Sequence, residues 1–212
     1  MSRSAVQFRS RALNFRSDIP TTLSYMGDHG QSFARTDLGV DDAKKLSLAI
    51  RTWLVEECVI SEDASADCVF RGVGHRPGSN WGSATRLFPN AESFLTLRTN
   101  GVSLVGGVPG VVVYPNGANL ASDCPRCGED VGEPFWGRLQ EWTEVVGDGP
   151  RPRLQCPSCD VDLSLTDCVL DSSWALSFVE VTFENWPLLS ESFESEMLDR
   201  LGGNSRFVSG KR

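Results

Sequence analysis

Two short runs constrain this chain more than any other feature: CPRCGED beginning at Cys124 and CPSCDVD beginning at Cys156. In each, two residues separate a pair of cysteines, Cys124 with Cys127 and Cys156 with Cys159. That spacing lets one tight turn aim both sulfurs at a single point. Pro125 and Pro157 preset φ inside the turns. Gly128 follows the first pair, where a positive φ would turn backbone N–H groups toward the sulfurs and stabilise thiolate charge. Four cysteines in two such turns make a closed, tetrahedral, structural metal site of the zinc type, one ion per chain. Iron is the minor alternative, because rubredoxins use similar pairs; this chain lacks their aromatic-rich core around the first pair. A thioredoxin-like redox site would want one pair opening a helix beside a strand, which two proline-containing pairs fit poorly.

The remaining cysteines agree with that reading. Seven is an odd number, and the N-terminal MSRSAVQFRSRALNFRSDIP has no apolar core of the kind a secretory signal carries. A disulfide framework is therefore disfavoured, and metal-bound thiolates in a reducing cytoplasm fit better. Cys58, Cys68 and Cys168 read as small buried hydrophobes rather than further ligands. The Arg3, Arg9, Arg11 and Arg16 stretch reads as a basic tail. No apolar run approaches the ~20 residues of a membrane span, so no membrane partner is expected.

The pairs resemble the knuckles of the zinc-ribbon family over about 45 residues, roughly a fifth of the chain. The resemblance implies a small β-ribbon held by zinc, with Cys124, Cys127, Cys156 and Cys159 as ligands. Asp160 departs from the pattern by standing where Gly is usual, a place Asp tolerates because it visits the left-handed region more readily than most residues. ENWPLLSESFESEMLDRLGG is similar to the C-terminal segment of an uncharacterised bacterial family in which paired cysteines precede a Trp-Pro stretch, a short helix and a basic strand. That resemblance implies shared architecture and a bacterial cytoplasmic setting, and brings no activity.

Periodicity supplies the frame. VDDAKKLSLAIRTWLVEECVI places Ala43, Leu46, Ile50, Trp53, Leu54 and Cys58 at helical spacing. Asp41 and Asp42 favour its N-terminus, and its end is expected near Cys58. FLTLRTNGVSLVGG reads as a hairpin turned by Asn100-Gly101, with residues 94–99 and 102–105 as arms. GVVVYPNGANL adds a third strand and a turn at Pro115-Asn116-Gly117. FWGRLQEWTEVV, between the cysteine pairs, spaces Phe135, Leu139, Trp142 and Val146 as an amphipathic helix. A strand is expected over residues 174–182, stopped by Pro187. Then come a helix capped by Ser190 and ended by Gly202-Gly203, and a short last strand in SRFVSG.

These elements give an α+β protein: a small antiparallel or mixed sheet with helices on one face, plus an inserted zinc ribbon. Residues 1–38 are expected to be loosely structured, with one short strand near residues 23–26. Residues 39–118 and 172–212 form the α+β domain, and 119–171 the ribbon module.

Function is less constrained. The chain carries a net charge of −8 even with its N-terminal arginines, which disfavours a broad phosphate-binding face. A closed thiolate site keeps no position for water or substrate. There are two histidines, so a nucleophile–base pair has few candidates. The terminal SGKR lacks the earlier glycine and the following helix of a phosphate-binding loop. The expectation is a non-catalytic structural-zinc protein that acts as a protein-interaction module. Phe135, Trp136 and Trp142 are its candidate surface. One alternative is a nucleic-acid-binding ribbon using Arg126, Arg151 and Arg153. Another is an enzyme with a site near Arg71, His75, Arg76 and Trp81.

Overall fold

The computed structural model describes residues 28–86, 89–113, 123–144, 152–168 and 174–211. Its frame is a six-stranded antiparallel sheet. In chain order the strands are β1 (His29–Arg35), β2 (Ile60–Ser65), β3 (Gly74–Pro77), β4 (Val102–Val113), β7 (Trp174–Glu184) and β8 (Ser205–Lys211). They lie in the order β2-β3-β4-β7-β1-β8. Two further strands, β5 (Arg153–Gln155) and β6 (Asp162–Ser164), form a separate hairpin. The helices are α1 (Val40–Glu56), α2 (Gly132–Glu144) and α3 (Glu191–Leu201).

The α+β class read from the sequence is what the chain adopts. Register sets one face of the sheet: Phe33 lies opposite Val181, and Leu104 lies opposite Val181 from the other side. Phe183 on that face packs edge-on against Phe193 of α3 at 5.7 Å, and Trp53 of α1 stacks on Phe193 at 5.8 Å. Trp186, Phe33, Phe183 and Met197 are fully buried there. Ser190 caps α3 as expected, its hydroxyl accepting from the Phe193 N–H at 3.2 Å.

Three local expectations fail, each for a tertiary reason. His29–Arg35 is not irregular chain: it is a sheet strand between β7 and β8, with a buried centre. Its alternation is weak in sequence because Gln31 and Ser32 are buried polar residues. The Gln31 amide is satisfied by Leu189 N–H at 2.9 Å and Pro187 O at 3.0 Å. The proposed strand near residues 23–26 lies outside the described residues, as does the turn at residues 115–117.

Asn100-Gly101 does not turn a hairpin. Residues Ala91–Thr96 form a 3-10 helix, and neither Asn100 nor Gly101 has a positive φ. Asn100 is buried; its amide donates to Phe94 O, and its carbonyl accepts from Trp186 Nε1 at 2.7 Å. Gly101 is glycine because its backbone crosses Cys68: a Cβ would lie 2.6 Å from Cys68 Sγ. The expected second and third strands are the single strand β4, with a register shift between Gly106 and Gly110.

Cys58 is exposed rather than buried. Helix α1 stops at Glu56, and Cys58 adopts φ 55°, so helical periodicity no longer places it. Val59, 2% exposed, takes the inward position. Cys68 and Cys168 are buried, as expected.

Candidate metal centre

Each cysteine pair sits in a turn of the same construction. In the first, Gly128 N–H donates to Cys124 O at 2.8 Å, and Cys124 N–H donates to Glu129 O at 2.8 Å. In the second, Asp160 N–H donates to Cys156 O at 3.0 Å, and Cys156 N–H donates to Val161 O at 2.9 Å. The residue after each second cysteine is left-handed: Gly128 at φ 73° and Asp160 at φ 57°. Asp160 therefore carries the conformation that glycine supplies in the first turn. The second turn closes the β5–β6 hairpin, in which Gln155 faces Asp162 and Leu154 faces Leu163. A single bridge between Asp123 and Asp130 flanks the first.

The turns bring the four sulfurs together. All lie within 4.8 Å of one another, with Cys124 to Cys159 at 3.8 Å and Cys127 to Cys156 at 3.6 Å. A zinc–sulfur bond of about 2.3 Å implies tetrahedral sulfur–sulfur edges of about 3.8 Å, so the cluster has the right size for one ion. A disulfide, at about 2.05 Å, would need the sulfurs far closer. No cysteine of the chain is in a disulfide.

Two of the four thiols are shifted in opposite directions. The N–H of Cys159, opposed by burial and aided by the Ser158 N–H, lowers the Cys156 thiol to about 7. The Glu129 N–H pulls Cys127 down, but burial and the three neighbouring sulfurs outweigh it and push that thiol up to about 12. Four thiolates this close repel, and a divalent cation at their centre removes that repulsion.

The cluster is joined to the main core. Cys124 and Cys156 are buried beside Val131, Phe135 and Leu163 in the same apolar cluster as Phe178 and Leu176 of β7. Helix α2 buries Phe135, Leu139 and Trp142, the stripe its sequence predicts; Val146 lies outside the described residues. Of the three aromatics expected on a partner surface, Phe135 and Trp142 are therefore core, and Trp136, 41% exposed, is on the surface. Cys168 is buried next to the centre, its thiol pushed up to about 11 by burial, with Asp167 adding to the effect.

The arginines near the knuckles do not form a cationic face among the described residues. Arg153 pairs with Asp162 at 2.6 Å, Arg126 is exposed, and Arg151 lies outside the described residues.

The second candidate group disperses. Arg76 pairs with Asp67 at 3.2 Å and donates to Asn100 Oδ1. Trp81 packs against Phe94 at 5.0 Å, and Arg71 is exposed. His75 instead points back to α1: its Nδ1 is 2.9 Å from Ser61 O, and its Nε2 accepts from Arg51 Nε at 3.2 Å. Burial lowers the pKa of His75; the Ser61 carbonyl works against this, and the Arg51 charge adds to it. Arg51, on the exposed flank of a plain amphipathic helix, carries no motif by which sequence would single it out.

No family model matches the chain, and no characterised protein or solved structure is significantly similar to it. Four cysteines at metal-binding distance, set in an α+β frame, define the class of this protein: one with a candidate zinc centre. Among the described residues no helix is long and apolar enough to cross a membrane.

Proposed function

We propose that Cys124, Cys127, Cys156 and Cys159 hold one structural zinc ion in a ribbon-like module, and that this module is a protein-interaction platform in a non-catalytic cytoplasmic protein. The sulfur cluster carries the reading: four soft donors at zinc-edge distances, two of them buried, occupy every position of a tetrahedral ion. Such an ion binds no substrate. It organises residues 123–144 and 152–168 against β7 and supplies folding energy in place of a larger local core.

The partner is a protein rather than a nucleic acid. The chain is acidic overall, and Arg153 is already engaged by Asp162. Trp136 stands exposed on α2 next to Phe135, whose ring it meets edge-on at 5.6 Å. An exposed Trp on a rigid helix is the residue type that anchors protein interfaces.

The test is native mass spectrometry of protein purified without added metal, with and without Trp136→Ala. One zinc per chain in both, and a co-purifying protein present only with Trp136, would support both parts. Iron in place of zinc would redirect the reading to electron transfer. A folded protein free of metal would overturn it. Co-purifying nucleic acid, released by salt, would replace the platform with the nucleic-acid reading.

A further inference from the structure

Away from the cysteines, the outer side of α1 and the strands β3 and β4 enclose an open groove of about 310 Å3. Lys44, Ser47, Leu48 and Arg51 of α1 line one side, and Val73 and His75 the other. The helical residues are spaced by three and four, so they form one face of α1. Glycines in β4 let α1 approach closely beside the groove and hold Ser47 and Lys44 against the strand. A Cβ on Gly106 would lie 2.4 Å from Ser47 Cβ, and one on Gly107 would lie 2.4 Å from Lys44 Cγ.

The lining is chemically one-sided. It holds two permanent cations, a hydroxyl and an imidazole, and no carboxylate. In a chain of net charge −8 this is a local reversal of sign. The Asp41 carboxylate, 3.5 Å from Lys44 Nζ, is mostly solvated and outside the lining.

Arg51 is held rather than neutralised. Its Nε–H donates to His75 Nε2 at 3.2 Å and its Nη2 donates to Glu62 O at 3.0 Å. Both acceptors are uncharged, because His75 accepts through Nε2 and so places its proton on Nδ1, toward Ser61 O at 2.9 Å. A guanidinium has five N–H groups; two are used here, and the Nη1/Nη2 edge keeps donors for a planar two-oxygen acceptor. Arg51 has no ion pair among the described residues. The rim is apolar: Leu48 is 61% and Val73 59% exposed.

We propose that this groove binds a small organic carboxylate, its head on the Arg51 fork and its short apolar body against Leu48, Val73 and Leu104. Lys44, two helical turns away, adds long-range attraction. The volume is at the low end of about 300–1,000 Å3 for small-molecule sites, which suits a compact ligand. The site is independent of the metal centre and implies no reaction.

Titration of the full-length chain with benzoate, hexanoate and inorganic phosphate, followed by isothermal calorimetry and backbone amide NMR, tests it. The carboxylates are expected to bind saturably at millimolar concentration or tighter, shifting amides of α1 and β4, with phosphate much weaker. Arg51→Met should weaken benzoate by about tenfold or more. Because Arg51→Met also removes two internal hydrogen bonds, Leu48→Glu is the second variant. It sits on an exposed helical position, should leave the fold intact by circular dichroism, and should weaken benzoate similarly by like-charge repulsion. No saturable carboxylate binding, or binding unchanged in Leu48→Glu, overturns the proposal. Phosphate binding as well as benzoate would overturn the apolar-body part and leave a bare anion site.

Discussion

The indole of Trp142 meets the ring of Phe178 edge to face, centroids 5.3 Å apart and planes at 78°. This contact joins α2, which lies between the cysteine pairs, to β7, near the centre of the sheet. It explains how the segment that carries the cysteine pairs shares one core with the sheet. Trp142 is 5% exposed, and its Nε1 is buried without a hydrogen-bond partner among the described residues. Trp142→Ala should therefore cost about 3–5 kcal/mol, as for other large-to-small aromatic changes in cores. Trp142→Phe should cost far less, since it keeps an aromatic contact and removes an unsatisfied donor. Urea denaturation of the metal-loaded proteins gives both values, and equal losses would mean that the ring contact is not what joins the two parts.

The two left-handed turn positions offer a matched comparison. Gly128 has open space where a Cβ would go, so Gly128→Ala meets only the conformational penalty of φ 73°. That penalty is about 1–2 kcal/mol. Asp160 already bears it at φ 57°, so Asp160→Gly should be neutral or stabilising by up to about 1 kcal/mol. Thermal melts of the zinc-loaded variants check the pair. Loss in Asp160→Gly equal to that in Gly128→Ala would show that the Asp160 side chain has a role beyond its backbone.

These positions also show what the sequence could reveal. The cysteine spacing, the φ demands at 128 and 160, the stripe of α2 and the Ser190 cap are local rules, legible because few competing interactions act on them. The Asn100-Gly101 hairpin was not legible. Its turn preference is outweighed by bonds from Asn100 to Phe94 and Trp186 and by the approach of Gly101 to Cys68, partners 6 to 86 residues away or in a separate loop. Strand β1 was hidden for a related reason: Gln31 is buried only because the segment after β7 supplies its hydrogen bonds. The groove residues Lys44 and Arg51 look like a solvated helix face until β3 and β4 are placed beside them.

His75 makes stability pH-dependent. It is 6% exposed, and burial holds its pKa below the ordinary 6.5. The folded chain thus resists a proton that the unfolded chain accepts. Its contribution is fully present above about pH 6.5 and is lost as pH falls below that value toward the folded pKa. His75→Gln, which can keep one of the two hydrogen bonds, should flatten the decline between about pH 7 and about pH 5 relative to wild type. The comparison isolates the imidazole, because acid acts equally on the cysteine cluster in both proteins. Parallel curves would show that His75 takes up its proton equally in the folded and unfolded chains, and that burial does not lower its pKa.

Removal of the metal should act on one part of the molecule first. The aromatic contacts among Phe33, Phe183, Trp186 and Phe193 are made by β1, β7, the residues after β7 and α3, none of them in the segment that carries the cysteine pairs. The Trp142–Phe178 contact lies on the segment whose two cysteine turns a bound zinc would tie together. A strong chelator, or Cys156→Ser, should lower the melting temperature and change tryptophan fluorescence, while most of the far-ultraviolet circular dichroism of the sheet and of α1 and α3 persists. Restored fluorescence on adding one equivalent of zinc would complete the expected result. Complete unfolding on chelation would mean that the sheet cannot form without the module. No change in melting temperature would mean that the ion contributes nothing to folding, and the structural role assigned to it would fall.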